Sequence, residues 1–325
     1  MELHTVFYTV TRKSSSIFAR APKGFALYKL CIYVKIKSQK ITFVNYFSRS
    51  IMSTAKEQIE RDGFVVFRGL FTPEEMSNIN ASIHNFFQRK GVTYRYGLTQ
   101  PNIAVEEPEF SWVISHPKVI EAYRSVFAQD DFVFTSHADI HHNMGFGWHK
   151  DDAKGAYFSE PYFTPDCRVY KMGIYMNDHS TDGNGMSVRV GSHLKDNLTD
   201  GEAIALATKP GDVVIFDVRI THAGKEYDFF ERGLLKMGRM LGDSTGKSKL
   251  GRKVRDIYCG FKAGKPKRSF FFTFGAPNNF TNDFARTNMR RQLDQSGGKR
   301  FTLPDSLSAE LNKNGIKTLS FDGEL

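Results

Sequence analysis

The sequence predicts a mainly β domain, a sandwich or jelly roll, with helices packed on its outside. Three observations carry this. Five short segments have strand length and composition: Phe132–Thr135, Val169–Met176, Met186–Val190, Asp212–Phe216 and Ser269–Phe274. Turn-forming stretches separate them, notably Thr181-Asp182-Gly183-Asn184-Gly185 and Lys209-Pro210-Gly211-Asp212. Helical signals come mostly earlier in the chain, as expected where strands build one body and helices cover it.

Taken in order, Gly63–Leu70 reads as the first strand. A helix follows with clear start signals. Thr72 is the N-cap, Pro73 takes the first helical position and Glu75 completes a capping box. Met76, Ile79, Ile83, Phe86 and Phe87 then recur at helical spacing and form one apolar stripe. A second helix is expected over Pro117–Ala128. After the fourth strand, residues 225–267 interrupt the β pattern. Phe229, Phe230, Leu234, Leu235, Met237 and Met240 have helical spacing, and Gly246–Lys267 is basic and Gly-rich. Such an insertion is either a lid or a packed surface excursion. There are no internal repeats and no low-complexity segments.

The chain has 325 residues, 40% apolar and 25% charged, the balance of a soluble globular protein. No stretch approaches the roughly 18 consecutive apolar residues of a membrane span. Cys31, Cys167 and Cys259 are far apart and form no C-x-x-C, so a reducing compartment is expected. The net charge of +10 raises nucleic-acid binding as a possibility, but its distribution argues against it. Residues 1–51 hold nine basic residues and one acid, which leaves about +2 for the other 274. Residues 1–51 are therefore read as a basic leader, either an organelle transit peptide or a segment upstream of a start at Met52. A start at Met52 implies the cytoplasm; a transit peptide implies a mitochondrion or plastid. Residues 52–325 are the expected catalytic domain, with the insertion at about 225–267.

Gly147-Trp148-His149-Lys150-Asp151 contains an H-x-D element. In a strand, residues i and i+2 share a face, so His149 and Asp151 can grip one metal ion together. His222, at the end of the apolar run Val213–His222, would complete a two-histidine, one-carboxylate face. That set suits non-haem Fe(II), because it leaves coordination positions open. By itself H-x-D is weak: with 10 histidines and 35 acidic residues, a surface histidine near a carboxylate is an equal reading. Gly242-Asp243-Ser244-Thr245-Gly246-Lys247-Ser248 is one residue short of a phosphate-binding G-x-x-x-x-G-K-S, and no strand precedes it, so it is set aside.

From Met52 on, the chain resembles the phytanoyl-CoA dioxygenase family of Fe(II)- and 2-oxoglutarate-dependent oxygenases. The resemblance rests on four ordered segments across roughly residues 52–280. These are Arg61–Leu70 with its capped helix, Trp148–Asp151, Asp182–His193, and Lys209–Asp212 followed by an apolar strand and His222. It implies a double-stranded β-helix, a cupin-like jelly roll, which agrees with the strand reading. It implies Fe(II) held by His149, Asp151 and His222, with 2-oxoglutarate and O2 as cosubstrates and ascorbate as a supporting reductant. The family also uses an arginine for the far carboxylate of 2-oxoglutarate, where a planar guanidinium forms two parallel hydrogen bonds. Arg232 has the family's spacing from the second histidine but lies in the insertion. Arg268 comes later but opens the strand Arg268–Phe274, so Arg268 is preferred and Arg232 is the alternative.

The reaction implied is oxidative decarboxylation of 2-oxoglutarate to succinate, coupled to hydroxylation of a C–H bond. An intact Asp151 carboxylate leaves no extra position for a halide and disfavours halogenation; desaturation and ring closure stay open. His137, Asp139 and His141 share strand parity with the metal motif and line the pocket if their strand runs unbroken; Gly145 and Gly147 are expected to break it. His193 is expected to fix a loop, and His142 and His179 receive no role. The expected substrate is a small molecule: a lipid, an acyl thioester or a specialised metabolite. A catalytically silent binding protein of the same fold and an oxygenase acting on a macromolecule are the competing classes. Neither substrate identity nor oligomeric state is legible.

Overall fold

The computed structural model describes residues 54–90, 98–145, 147–151, 157–181, 185–224, 229, 233, 267–295, 302–319 and 321. All belong to one compact unit, Phe43–Leu325; a second unit, Met1–Thr42, lies outside them. Arg232, nearly all of the 225–267 insertion and the basic leader also lie outside the described residues.

The elements run α1 (Ala55–Asp62), β1 (Phe64–Phe67), α2 (Pro73–Arg89), β2 (Leu98–Gln100), the short α3 (Ile103–Glu106) and α4 (Ser111–Ile114), and α5 (Pro117–Phe127). Then come β3 (Val133–His142), β4 (Val169–Tyr175), β5 (Ser187–Arg189), β6 (Ala203–Ala205), β7 (Val213–Asp217), β8 (His222–Ala223) and β9 (Arg268–Gly275). The chain closes with α6 (Asn279–Gln295), α7 (Asp305–Lys313) and β10 (Lys317–Thr318). A large sheet has the order β1-β7-β4-β9-β3-β10, with β2 also paired to β3; a small sheet has the order β6-β5-β8. The chain passes repeatedly between the two sheets, the double-stranded β-helix arrangement of a jelly roll.

Alternation along each strand builds two cores. From the large sheet, Phe134, Ala138, Ile140, Tyr170, Met172, Ile174, Phe270, Phe272 and Phe274 face outward onto the helices. There they meet Ile79, Ile83 and Phe86 of α2 and Tyr123 and Phe127 of α5. Truncating one such ring, Phe272→Ala for instance, costs about 3–5 kcal/mol. The opposite face of the large sheet meets the small sheet through Phe64, Val214 and Phe216 against Met186, Val188 and Ile204. Both faces of the central strands are therefore occupied, and the polar cavity described below opens from the second.

The capping box of α2 forms as expected: Thr72 accepts from the Glu75 amide, and Glu75 accepts from the Thr72 amide at 2.7 Å. Its five-residue stripe is buried throughout. At the turn before β7, Gly211 has φ +99°, and a Cβ there would lie 2.6 Å from the Phe71 carbonyl oxygen. Only glycine fits that approach.

Several elements exceed what the pattern predicts, among them β3, α1 and α6. β3 extends to His142, well past Thr135, because its later polar residues alternate with Ala138 and Ile140 and face the interior. α1 has a capping box at Thr54 but places only Ile59 of its apolar residues in the core, so no stripe announces it. α6 buries polar side chains, among them Thr281, Asn288 and Gln292, which hides its inner face from any hydrophobic pattern.

Candidate metal centre

The H-x-D segment joins the small sheet by one bridge. His149 and His222 exchange backbone hydrogen bonds of 2.9 and 2.8 Å, and the Asp151 amide donates to the Val218 carbonyl at 3.2 Å. The intervening Lys150 points the opposite way, as strand alternation requires. It is buried, and its ammonium donates to the carbonyls of Ser192 and Arg219, each at 2.7 Å. Trp148 is covered by the Arg189 guanidinium, 4.9 Å from its ring centroid. The segment is thus pinned on both sides of its two chemical residues.

One nitrogen of His149, one of His222 and one carboxylate oxygen of Asp151 all lie within 4.8 Å of one another. Both Nε2 atoms face the same oxygen, Oδ1, at 3.9 Å from His149 and 3.7 Å from His222. In both histidines Nδ1 lies against the carbonyl two residues earlier, Gly147 at 2.8 Å and Ile220 at 3.0 Å. A carbonyl accepts only, so each ring carries a proton on Nδ1 and turns Nε2 towards Asp151. This is the tautomer a metal needs, fixed by outer partners in the usual manner of metal-binding imidazoles. The donor set therefore fits a divalent transition metal.

The other Asp151 oxygen, Oδ2, accepts from the Lys171 ammonium at 2.6 Å. Burial works to raise the Asp151 carboxyl, but Lys171, then His222 and His149, outweigh it and hold it well below the usual carboxylate range. Burial pushes His222 down to about 4 against the pull of Asp151, so its ring is neutral at pH 7. Both states suit ligation, which needs an ionised carboxylate and unprotonated imidazoles.

A cavity of about 520 Å³ opens at these residues. His137, Asp139 and His141 line it, carried there by the long β3. Ser136 sits at φ +61° in a bulge that shifts the β3–β9 register between Phe134 and Ala138. Within this stretch His137 contacts Thr273 Oγ1 at 2.8 Å through Nδ1 and Asp139 at 3.1 Å through Nε2. Asp139 also accepts from Gln292 at 3.1 Å and from the Asn102 amide at 3.3 Å. Burial lowers His141 to about 4. Burial works to raise Asp139, but His137 and then Arg291 more than reverse this, and it stays ionised.

The expectation that Arg268 points into the barrel meets the alternation of β9. Arg268 shares parity with Phe270, Phe272 and Phe274, which face the helices. Its guanidinium donates to Asn80 Oδ1 at 2.8 Å and to His84 Nδ1 at 3.0 Å, both on α2, although part of the side chain reaches the cavity rim. The inward residues are Ser269, Phe271 and Thr273. Lys267, just before β9, accepts at its carbonyl from the Asn143 amide at 2.7 Å, donates its amide to Asn143 Oδ1 at 2.8 Å, and lines the cavity. The alternative, Arg232, lies outside the described residues.

His193 is buried with Nε2 3.1 Å from the Glu60 carbonyl, a loop-fixing contact away from the triad. His179 lines the cavity beside Tyr175. Sequence reasoning missed Lys171, Lys267, Asn288 and Arg291, which also line it. Lys171 had a signal, a lone lysine within the apolar strand Val169–Tyr175. The two α6 residues had none, because no apolar stripe marks their helix.

A jelly roll in which two imidazole nitrogens and a carboxylate converge beside a cavity fits the class of non-haem metal enzymes. The model of the phytanoyl-CoA dioxygenase (PhyH) family matches residues 59–227, just over half the chain. The chain belongs to this family and is a 2-oxoglutarate-dependent dioxygenase that uses iron. Comparison with curated proteins finds no match. Among solved structures, EctD from S. alaskensis with 2-oxoglutarate and 5-hydroxyectoine is 15% identical, with a TM-score of 0.48, over 74% of this chain and 80% of that one. HygX from Streptomyces hygroscopicus with nickel and 2-oxoglutarate is 12% identical, with a TM-score of 0.48, over 68% of this chain and 87% of that one. The epimerase SnoN from nogalamycin biosynthesis is 13% identical, with a TM-score of 0.47, over 68% of this chain and 81% of that one. All three likenesses are distant. Among the described residues, no helix is long and apolar enough to cross a membrane.

Proposed function

We propose that His149, Asp151 and His222 hold the iron and that the enzyme hydroxylates a small molecule in the adjoining cavity. The observation that carries this is the convergence of two Nε2 atoms on one Asp151 oxygen. Iron held there would supply the oxidising chemistry with 2-oxoglutarate and O2: one oxygen atom would enter the substrate C–H bond, the other would end in succinate, and carbon dioxide would be released.

The protein's own residues do the positioning. Lys171 holds Asp151 Oδ2, leaving Oδ1 turned to the metal and limiting the carboxylate to one ligating oxygen. Lys150, from the back of the segment, fixes the separation of His149 and Asp151. Lys267, which lines the cavity just before β9, is the cation for the far carboxylate of 2-oxoglutarate, in preference to Arg268, whose hydrogen bonds go to α2. An ammonium offers that carboxylate a point charge and not a planar fork. A cavity of about 520 Å³ with a few polar groups among aromatic rings is of small-molecule size, which supports a small substrate. Asp151 occupies the position a halide would need, which favours hydroxylation.

The test is succinate formation with Fe(II), 2-oxoglutarate and ascorbate across a metabolite panel. Substrate-stimulated succinate release, abolished in Asp151→Ala, supports the reading. Absence of any turnover, stimulated or uncoupled, together with absence of iron binding, sinks it in favour of a silent binding protein.

A further inference from the structure

Asn288 and Arg291 of α6 line the cavity, and each carries one buried hydrogen-bond donor without a protein acceptor. Asn288 is 1% exposed and lines the cavity. Its Oδ1 accepts from the Arg291 guanidinium at 2.7 Å, and its Nδ2 has no partner in the protein. Arg291, one helical turn on, lines the same cavity, and its Nε is buried with no partner either. Leaving a buried donor unmet costs about 1–3 kcal/mol, so such a group in a native fold calls for a ligand or a water.

The charge of Arg291 is also incompletely used. Its contact with Asp139 is long, 3.5 Å, and that carboxylate already accepts from His137, Gln292 and the Asn102 amide. Beside this pair, the rings of Tyr157 and Phe284 lie 5.0 Å apart and line the same cavity. A chain of polar contacts runs from Arg291 to Asp139, His137 and Thr273; Thr273 lies opposite Lys171 in the strand register, and Lys171 holds Asp151.

On the reading that this cavity is the oxygenase site, we propose that Asn288 and Arg291 bind an oxyanion group of the primary substrate, a carboxylate or a phosphate attached to an apolar body. An amide N–H and a guanidinium side by side match an oxyanion's lone pairs and charge, and a neutral carbonyl would leave the charge unmatched. The aromatic pair receives the apolar part. This subsite is distinct from the one assigned to 2-oxoglutarate at Lys267.

The test uses the full chain with Mn(II) and 2-oxoglutarate bound, titrated with probes of one skeleton: 3-phenylpropionate, phenethyl phosphate, 3-phenylpropionamide and 3-phenylpropanol. Binding is read by calorimetry and by the unfolding midpoint. At least one anion is expected to bind about tenfold or more tightly than the neutral probes, the factor one charge-assisted hydrogen bond supplies. The carboxylate and phosphate arms tell the two sources apart. Arg291→Met and Asn288→Leu should each lose that preference with 2-oxoglutarate affinity unchanged, and Arg291→Lys should retain part of it. Circular dichroism of each variant separates lost binding from lost folding, and Arg291→Lys, which keeps the charge on a half-exposed side chain, guards against a misfolded Asn288 variant. Equal binding of neutral and anionic probes, no binding of either anion, or a loss of 2-oxoglutarate affinity in Arg291→Met overturns the proposal. Failure of the wild-type chain to bind 2-oxoglutarate tells instead against the oxygenase reading, and the anion titrations are then read on the protein alone.

Discussion

Separate replacement of Lys267 and Arg268 by Met asks which face of β9 meets the cosubstrate. Lys267 precedes β9 and lines the cavity, and Arg268 continues the outward row Phe270, Phe272 and Phe274. A partly buried ammonium–carboxylate contact contributes about 1.5–3 kcal/mol, so Lys267→Met should raise the 2-oxoglutarate Kd by about 10- to 100-fold. Lys267→Arg should retain most of the affinity, because the charge stays. Arg268→Met removes two hydrogen bonds, to Asn80 and His84, that tie β9 to α2. Its expected cost is about 1–3 kcal/mol of stability, which lowers Tm by several degrees in a domain of this size, with the 2-oxoglutarate Kd unchanged. Calorimetric titration with Mn(II) in place of iron reads affinity without turnover, and thermal unfolding reads stability. A tenfold loss of affinity in Arg268→Met with none in Lys267→Met would refute the parity argument.

Other outcomes follow from the same geometry. Asp151→Ala and His222→Ala should each abolish tight iron binding in equilibrium dialysis; retention of stoichiometric iron in both excludes these residues as ligands. A saturating metal should stabilise the wild-type fold by about 2.7 kcal/mol at 100 times its Kd, and a chelator should reverse this; an unmoved melting curve contradicts a preformed site. Lys150→Met removes two charge-assisted bonds to buried carbonyls. It should cost about 2–4 kcal/mol in urea unfolding, whereas a change below about half a kcal/mol denies Lys150 its anchoring role. His142 is held down to about 4 by burial, then by Arg268 and His84, against an ordinary value of 6.5. Between those values the unfolded chain takes up a proton that the folded chain resists, so stability is full above about pH 6.5 and falls towards pH 4. The loss attributable to this ring is at most about 3 kcal/mol. His142→Gln should flatten the dependence of the urea midpoint between pH 7 and 5, and an unaltered slope removes His142 from the account.

Much was legible in the sequence where periodicity and local chemistry agree. The Thr72–Glu75 capping box and its five-residue stripe formed as read, because a helix start and an amphipathic face are local properties. Of the six expected strands, four appear within a residue or two; β1 stops three residues short of Leu70, and β3 runs past Thr135. β3 was cut short because polar residues facing an internal cavity look, along the chain, like residues facing water. α6 was unread for the same reason, since its inner face buries Asn288 and Gln292.

The sequence by itself determined the class of protein. The ordered segments around His149-Lys150-Asp151 and His222 determined family membership, since each is a short pattern of residue types. Only the tertiary structure decided how those residues meet. The Nδ1–carbonyl contacts place a proton on that nitrogen of each histidine, Lys171 turns one Asp151 oxygen towards the imidazoles, and the register of β9 sets Arg268 against α2. The physical reason is the two-residue period of a strand. The identity of each residue is written in the chain, but the face it presents depends on a ladder partner more than a hundred positions away, His142 for Arg268, and no local pattern encodes that pairing.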